Sequence, residues 1–128
     1  MKLLLDTHAF LWWITDDRRL SSAARQAIAD PEDELFLSAA SAWEMALKSR
    51  LGRLKLPGNV EGFISEQMAV NVIQALPIQI RHALRTRDLP NHHQDPFDRM
   101  IVSQAQVEGL TVLTGDPLIG RYQVDVLW

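Results

Sequence analysis

Asp6, Glu44, Asp98 and Asp116 each fall just past a predicted strand or within the first two turns of a predicted helix. In a parallel α/β sheet, strand ends and helix starts share one edge, outside the carboxyl ends of the strands, where ligands bind. Carboxylates gathered there repel one another unless something positive sits between them. A hard divalent cation such as Mg²⁺ or Mn²⁺ takes oxygen ligands of this kind. The pattern points to metal-assisted phosphate chemistry.

Each acid also has a plainer explanation. Asp6 can cap the helix that follows it, and Glu44 lies three residues after Ser41, as in a capping box. Asp98 sits in the acidic first turn favoured by the helix dipole, and Asp116-Pro117 is an ordinary turn opener. Periodicity separates the two explanations. Asp98 shares a helix face with Ile101, Val102 and Ala105, and Glu44 shares one with Leu47 and Leu51. A carboxylate on a core-facing apolar stripe is costly unless it is paired or bound to metal. Lys48, four residues after Glu44, is the one base within reach of either stripe. Asp95, just before Pro96, reads first as a helix cap and second as a supporting group for the metal. Thr7, Ser38 and Thr114 bring hydroxyls to the same edge, suited to a bound water or a phosphate oxygen. His92-His93 lacks the spacing of a zinc site and reads as a surface loop, and His8 reads as a helix-side residue.

The elements that must position these groups alternate. Apolar runs at 2–6, 34–37, 72–76, 111–113 and 124–127 predict strands. Helical patterns span 7–14, 21–30, 38–51, 59–70, 78–87 and 95–108, with Gly52 and Gly109 as stops. Strands that are apolar throughout, separated by helices, predict a parallel sheet covered on both faces. Residues 88–94, with Pro90 and the two histidines, read as a loop beside the site and a candidate mobile flap.

Composition sets the limits. The 128 residues, 47% hydrophobic and 23% charged, suit one globular domain across 1–128. Cysteine is absent, which excludes disulfides and thiolate metal sites. Asp6 and His8 cut short the apolar start, and no run approaches the ~20 apolar residues of a membrane span. The expectation is a cytoplasmic protein with no membrane partner. A net charge of −3 argues against nucleic-acid binding by overall electrostatics. Local patches would have to steer such a substrate: Lys48, Arg50, Arg53 and Lys55, then Arg81, Arg85 and Arg87, and Arg18 with Arg19.

Leu3-Leu4-Leu5-Asp6-Thr7-His8, Leu37-Ser38-Ala39-Ala40-Ser41-Ala42-Trp43-Glu44, Asp95-Pro96-Phe97-Asp98-Arg99-Met100-Ile101 and Leu113-Thr114-Gly115-Asp116 together resemble PIN-domain proteins. The closest likeness is to the VapC-type ribonuclease toxins of bacterial toxin–antitoxin pairs. The resemblance implies a parallel five-stranded sheet flanked by helices on both faces. It implies that Asp6, Glu44, Asp98 and Asp116 form the acidic catalytic quartet, with Asp6 and Asp98 as direct Mg²⁺ ligands. Thr114 then takes the associated hydroxyl position, with Asp95 and Thr7 in support. The implied activity is endonucleolytic hydrolysis of single-stranded RNA, with Mn²⁺ able to replace Mg²⁺. The implied partners are a cognate antitoxin and a second copy of the chain, within a larger assembly. Two alternatives stay open: a PIN nuclease of RNA processing that has no antitoxin, and a non-catalytic RNA-binding module.

Overall fold

Leu3 and Leu5 point to one side of strand β1 (Lys2–Leu5) and Leu4 to the other, and all three are fully buried. A strand apolar on both faces must be covered on both faces. The computed structural model describes residues 1–128, and β1 lies at the centre of its sheet. The five parallel strands run in the order β3-β2-β1-β4-β5, with β2 at Glu34–Ser38, β3 at Ile73–Leu76, β4 at Thr111–Leu113 and β5 at Val126–Leu127. The parallel α/β sheet expected from the sequence is therefore present.

Helices α1 (Thr7–Ile14), α2 (Ser22–Ala29), α3 (Ala39–Arg50) and α4 (Val60–Val70) follow within the first half of the chain. Phe10, Ala24, Met45 and Ile64 from these helices pack with Leu3, Leu5, Leu35, Leu37 and Leu113 of the sheet. The opposite face is built from Leu4 and Val112 with Ile101, Val102 and Ala105 of α6 (Pro96–Glu108). Helix α5 (Ile80–Arg85) lies beside α6 and runs into a 3₁₀ turn, Thr86–Asp88. Leu89, Ile119 and Tyr122 complete this second core.

Caps fix where the helices start. Ser21, Ser38 and Asn59 each accept a backbone N–H from the first turn of α2, α3 and α4. Asp95 caps α6 by accepting from Phe97 N at 2.8 Å, with Pro96 at the first helical position. Gly109 ends that helix at φ 68°, a left-handed conformation that glycine adopts without steric cost. No helix is long and apolar enough to cross a membrane.

Register then brings the site together. Leu5 pairs with both Leu37 and Leu113, so three strands end level. The chain travels outward from β1 through β2 to β3, then returns to the other side of β1 as β4. That reversal makes a crevice beyond the ends of β1 and β4, the usual ligand position in open α/β sheets. The residues that follow these strands, Asp6 and Thr114, stand at its mouth.

Candidate active site

Asp6 reaches the crevice as the N-cap of α1. Its Oδ1 accepts from Ala9 N at 2.7 Å, and its Oδ2 accepts from the Thr114 hydroxyl. The capping and site readings of Asp6 thus hold together. Burial pushes its carboxyl above the usual range, against the lowering effect of those two bonds. Thr114 is itself buried and accepts from Asp116 N at 3.0 Å, so one hydroxyl ties two acidic positions together. Thr114→Val keeps the shape and removes both bonds. It is expected to lower stability by about 2 kcal/mol, because the buried Asp6 carboxylate and the partly buried Asp116 N–H each lose a partner. Urea unfolding would read this directly, and an unchanged midpoint would remove the bridge from the account.

Glu44 is buried on α3 although it lies well inside the helix. Its Oε1 lies 2.6 Å from the Thr7 hydroxyl and its Oε2 lies 2.6 Å from Lys48 Nζ. Ser41 is the next neighbour of Thr7, at 2.9 Å, and does not cap α3, a role taken by Ser38. The apolar stripe expected beside Glu44 is absent. Leu47 is 42% exposed and Leu51 65%, while Ala40, Ser41, Glu44 and Met45 form the buried face. Small and polar residues face inward here because α3 packs at the crevice and against α6, where side chains must pass close and donate hydrogen bonds.

Asp98 lies on α6 above Ile101, Val102 and Ala105, which are buried as their spacing predicts. Its environment is the most strained electrostatically. Burial, followed by the negative charge of Asp95, pushes its carboxyl up to about 6 from 3.8; Glu44 and Asp116 raise it further, and His93 opposes them. No hydrogen-bond donor contributes to that balance. Asp116 closes the set: its Oδ1 accepts from Leu118 N at 2.9 Å, and its Oδ2 lies 2.7 Å from His93 Nε2.

Asp6, Glu44, Asp98 and Asp116, distant in sequence, therefore share one edge of the sheet. Asp98 lies within reach of the charges of Glu44 and Asp116, and Asp6 within reach of that of Asp116, with Thr7 and Thr114 bonded to Glu44 and Asp6. Asp95 stands at the rim, exposed, as the cap of α6. Sequence reasoning missed His93, placed on the surface by its loop context, whereas the reach of Lys48 back to Glu44, read from their spacing, is present in the folded chain. For His93 no local spacing exists, because its partners Asp116 and Tyr122 lie 23 and 29 residues onward.

The donor set fits a hard divalent cation. Asp6 keeps a lone pair on each oxygen, and Asp98 offers oxygens that no protein donor occupies. Ligand atoms of His93, Asp98 and Asp116 all lie within 4.8 Å of one another. Among these groups only His93 can contribute positive charge, so a cation would offset the burial and the repulsion that together raise the Asp98 carboxyl.

Comparison with known proteins follows the same lines. Residues 3–124 match the PIN domain family. Ribonuclease VapC22 of Mycobacterium tuberculosis (strain ATCC 25618 / H37Rv) is 35% identical over 115 residues, which span 89% of this chain and 86% of that protein. The crystal structure of VapBC2 from Rickettsia felis bound to a DNA fragment from their promoter superposes with a TM-score of 0.73 at 12% identity, covering 99% of this chain and 98% of that one. A toxin-antitoxin complex from Klebsiella pneumoniae gives a TM-score of 0.57 at 19% identity, covering 98% of this chain and 96% of that one. At those identities the two structural likenesses speak to fold alone.

Proposed function

Because this chain belongs to the PIN domain family, with VapC-type ribonuclease toxins as its kin, we propose that it is a Mg²⁺-dependent endoribonuclease and the toxin of a toxin–antitoxin pair. Its substrate is single-stranded RNA. The observation that carries this reading is the meeting of Asp6, Glu44, Asp98 and Asp116 beyond the ends of β1 and β4. The name of its relative supports the nuclease activity, and its structural neighbours support an antitoxin partner.

Asp6 and Asp98 would hold the cation, and a bound Mg²⁺ or Mn²⁺ supplies Lewis acidity and charge neutralisation at a phosphodiester. Asp6 is presented for this by Ala9 N–H and Thr114, which fix the direction of its carboxylate. Glu44 and Asp116 position the attacking water, their orientations set by Thr7 with Lys48 and by Leu118 N–H with His93. In-line attack leaves a 5′-phosphate and a 3′-hydroxyl. Arg50, Arg53 and Lys55 are exposed where α3 ends and form no ion pair, so they offer the positive charge that a net −3 otherwise denies to RNA. Lys48, Arg81 and Arg19 are instead engaged with Glu44, Glu108 and Asp17. The same reading puts the protein in the cytoplasm as a homodimer silenced by its antitoxin.

The test uses purified protein and RNA. Chelation with EDTA is expected to abolish cleavage, and added Mg²⁺ or Mn²⁺ to restore it, with end mapping that finds 5′-phosphates. Cleavage that persists in excess chelator would end the metal-dependent reading. Growth arrest on expression, relieved by the neighbouring open reading frame, would test the toxin role separately.

A further inference from the structure

The segment before α6 has no ladder of regular hydrogen bonds, yet it is held in place. Arg99, the residue after Asp98, donates to the backbone carbonyls of Thr86, Leu89, Pro90 and His93. The segment is thus a clamped strap rather than the mobile flap its composition suggests. The clamp sets His93 against the open side of the site, with its side chain only 8% exposed. The imidazole stacks on the Tyr122 ring with 17° between their planes, and its Nδ1 lies 2.9 Å from the Tyr122 hydroxyl.

The other ring nitrogen faces the acids. Nε2 lies 2.7 Å from Asp116 Oδ2, and both belong with Asp98 to the group of ligand atoms within 4.8 Å of one another. Two electron-rich atoms that close need something positive between them, either a proton or a cation. At 2.7 Å the metal-free pair is a hydrogen bond from Nε2–H to Asp116. Where a cation takes that proton's place, Nδ1–H can donate to the Tyr122 oxygen and Nε2 turns a lone pair inward. A second-nitrogen hydrogen bond that fixes tautomer and ring direction is the usual support of a metal-binding histidine.

We propose that His93 is a ligand of the active-site cation, adding a nitrogen to the carboxylate set and biasing the site toward Mn²⁺ over Mg²⁺. The bias follows from donor chemistry. Mg²⁺ prefers oxygens and keeps its waters, whereas imidazole nitrogen suits transition metals, and Mn²⁺ accepts either. The inference rests on the nuclease reading in so far as that reading brings a cation to the site.

Wild type, His93→Gln and Tyr122→Phe would be titrated calorimetrically with MnCl₂ and, separately, with MgCl₂, and the Mn²⁺-loaded proteins examined by pulsed electron paramagnetic resonance. The expected wild-type spectrum carries modulation from a directly bound imidazole nitrogen, absent in His93→Gln. Mn²⁺ affinity is expected to fall about 10–100-fold in His93→Gln and by less in Tyr122→Phe. Mg²⁺ affinity should change little. A wild-type spectrum without nitrogen modulation overturns the assignment, whether or not the variants fold. Equal losses for both ions overturn it too, and leave His93 as a positioning residue for Asp116. If RNA is cut and both ions bind wild type and His93→Gln alike, the ligand assignment fails alone. If wild type binds neither ion, the nuclease reading falls with it.

Discussion

Asp98→Asn is expected to cut RNA at least about 100-fold more slowly than wild type while resisting denaturant better. The loss follows from removing a charged oxygen ligand at the point where charge must be neutralised, an effect worth about 3–4 kcal/mol in comparable electrostatic sites. The gain in stability follows from linkage. The folded-state pKa of Asp98, about 6, lies above its unfolded value of 3.8. Between those pH values the folded chain binds more protons than the unfolded one. Stability therefore rises as pH falls from 6 toward 4, and above 6 the ionised carboxylate is a full burden. That displacement corresponds to about 3 kcal/mol at ~1.36 kcal/mol per pH unit. Solvent reaches the half-buried side chain, so about 1 kcal/mol is the reasonable expectation. The amide removes the burden at neutral pH. Urea unfolding at pH 7.5 with chelator, paired with an RNA cleavage assay, reads both effects. A variant that is both active and no more stable would remove Asp98 from the centre of the site.

Acid is expected to empty the cation site before it unfolds the protein. Protons and metal compete for Asp98, so the apparent dissociation constant for Mn²⁺ should rise about tenfold per pH unit below 6. Asp6, whose carboxyl is also raised by burial, adds a second proton and steepens the loss further down. Calorimetric titration across pH 4.5–7.5 measures the slope. A constant affinity over that range would mean that neither carboxylate is a ligand. The folded state itself gains from Asp98 protonation over the same interval, so loss of binding there cannot be confused with unfolding.

Much of this arrangement is legible in the residues themselves. Unbroken apolar runs between helical periods dictate a buried parallel sheet, and the observed strands fall where those runs lie. Asp6, Asp98 and Asp116 can be placed at one edge because each follows a strand or opens a helix, and level strand ends do the rest. Glu44 is reached by a faulty argument. Leu47 and Leu51 suggest a core-facing stripe, but the inward face of α3 is Ala40, Ser41, Glu44 and Met45, where close packing favours small side chains over apolar ones. His93 is not legible locally. Its position depends on Arg99 reaching back to carbonyls of an irregular segment, and on Tyr122 arriving after β4, contacts that no periodicity encodes.

The grip of Arg99 has a wider consequence. It addresses main-chain oxygens, which every residue type carries, and asks nothing of the exposed side chains of Pro90, Asn91 and Gln94. Substitutions there can accumulate without loosening the strap. The rim of the acidic cleft is thereby free to change its surface chemistry at those positions while the carboxylates beneath it stay as they are.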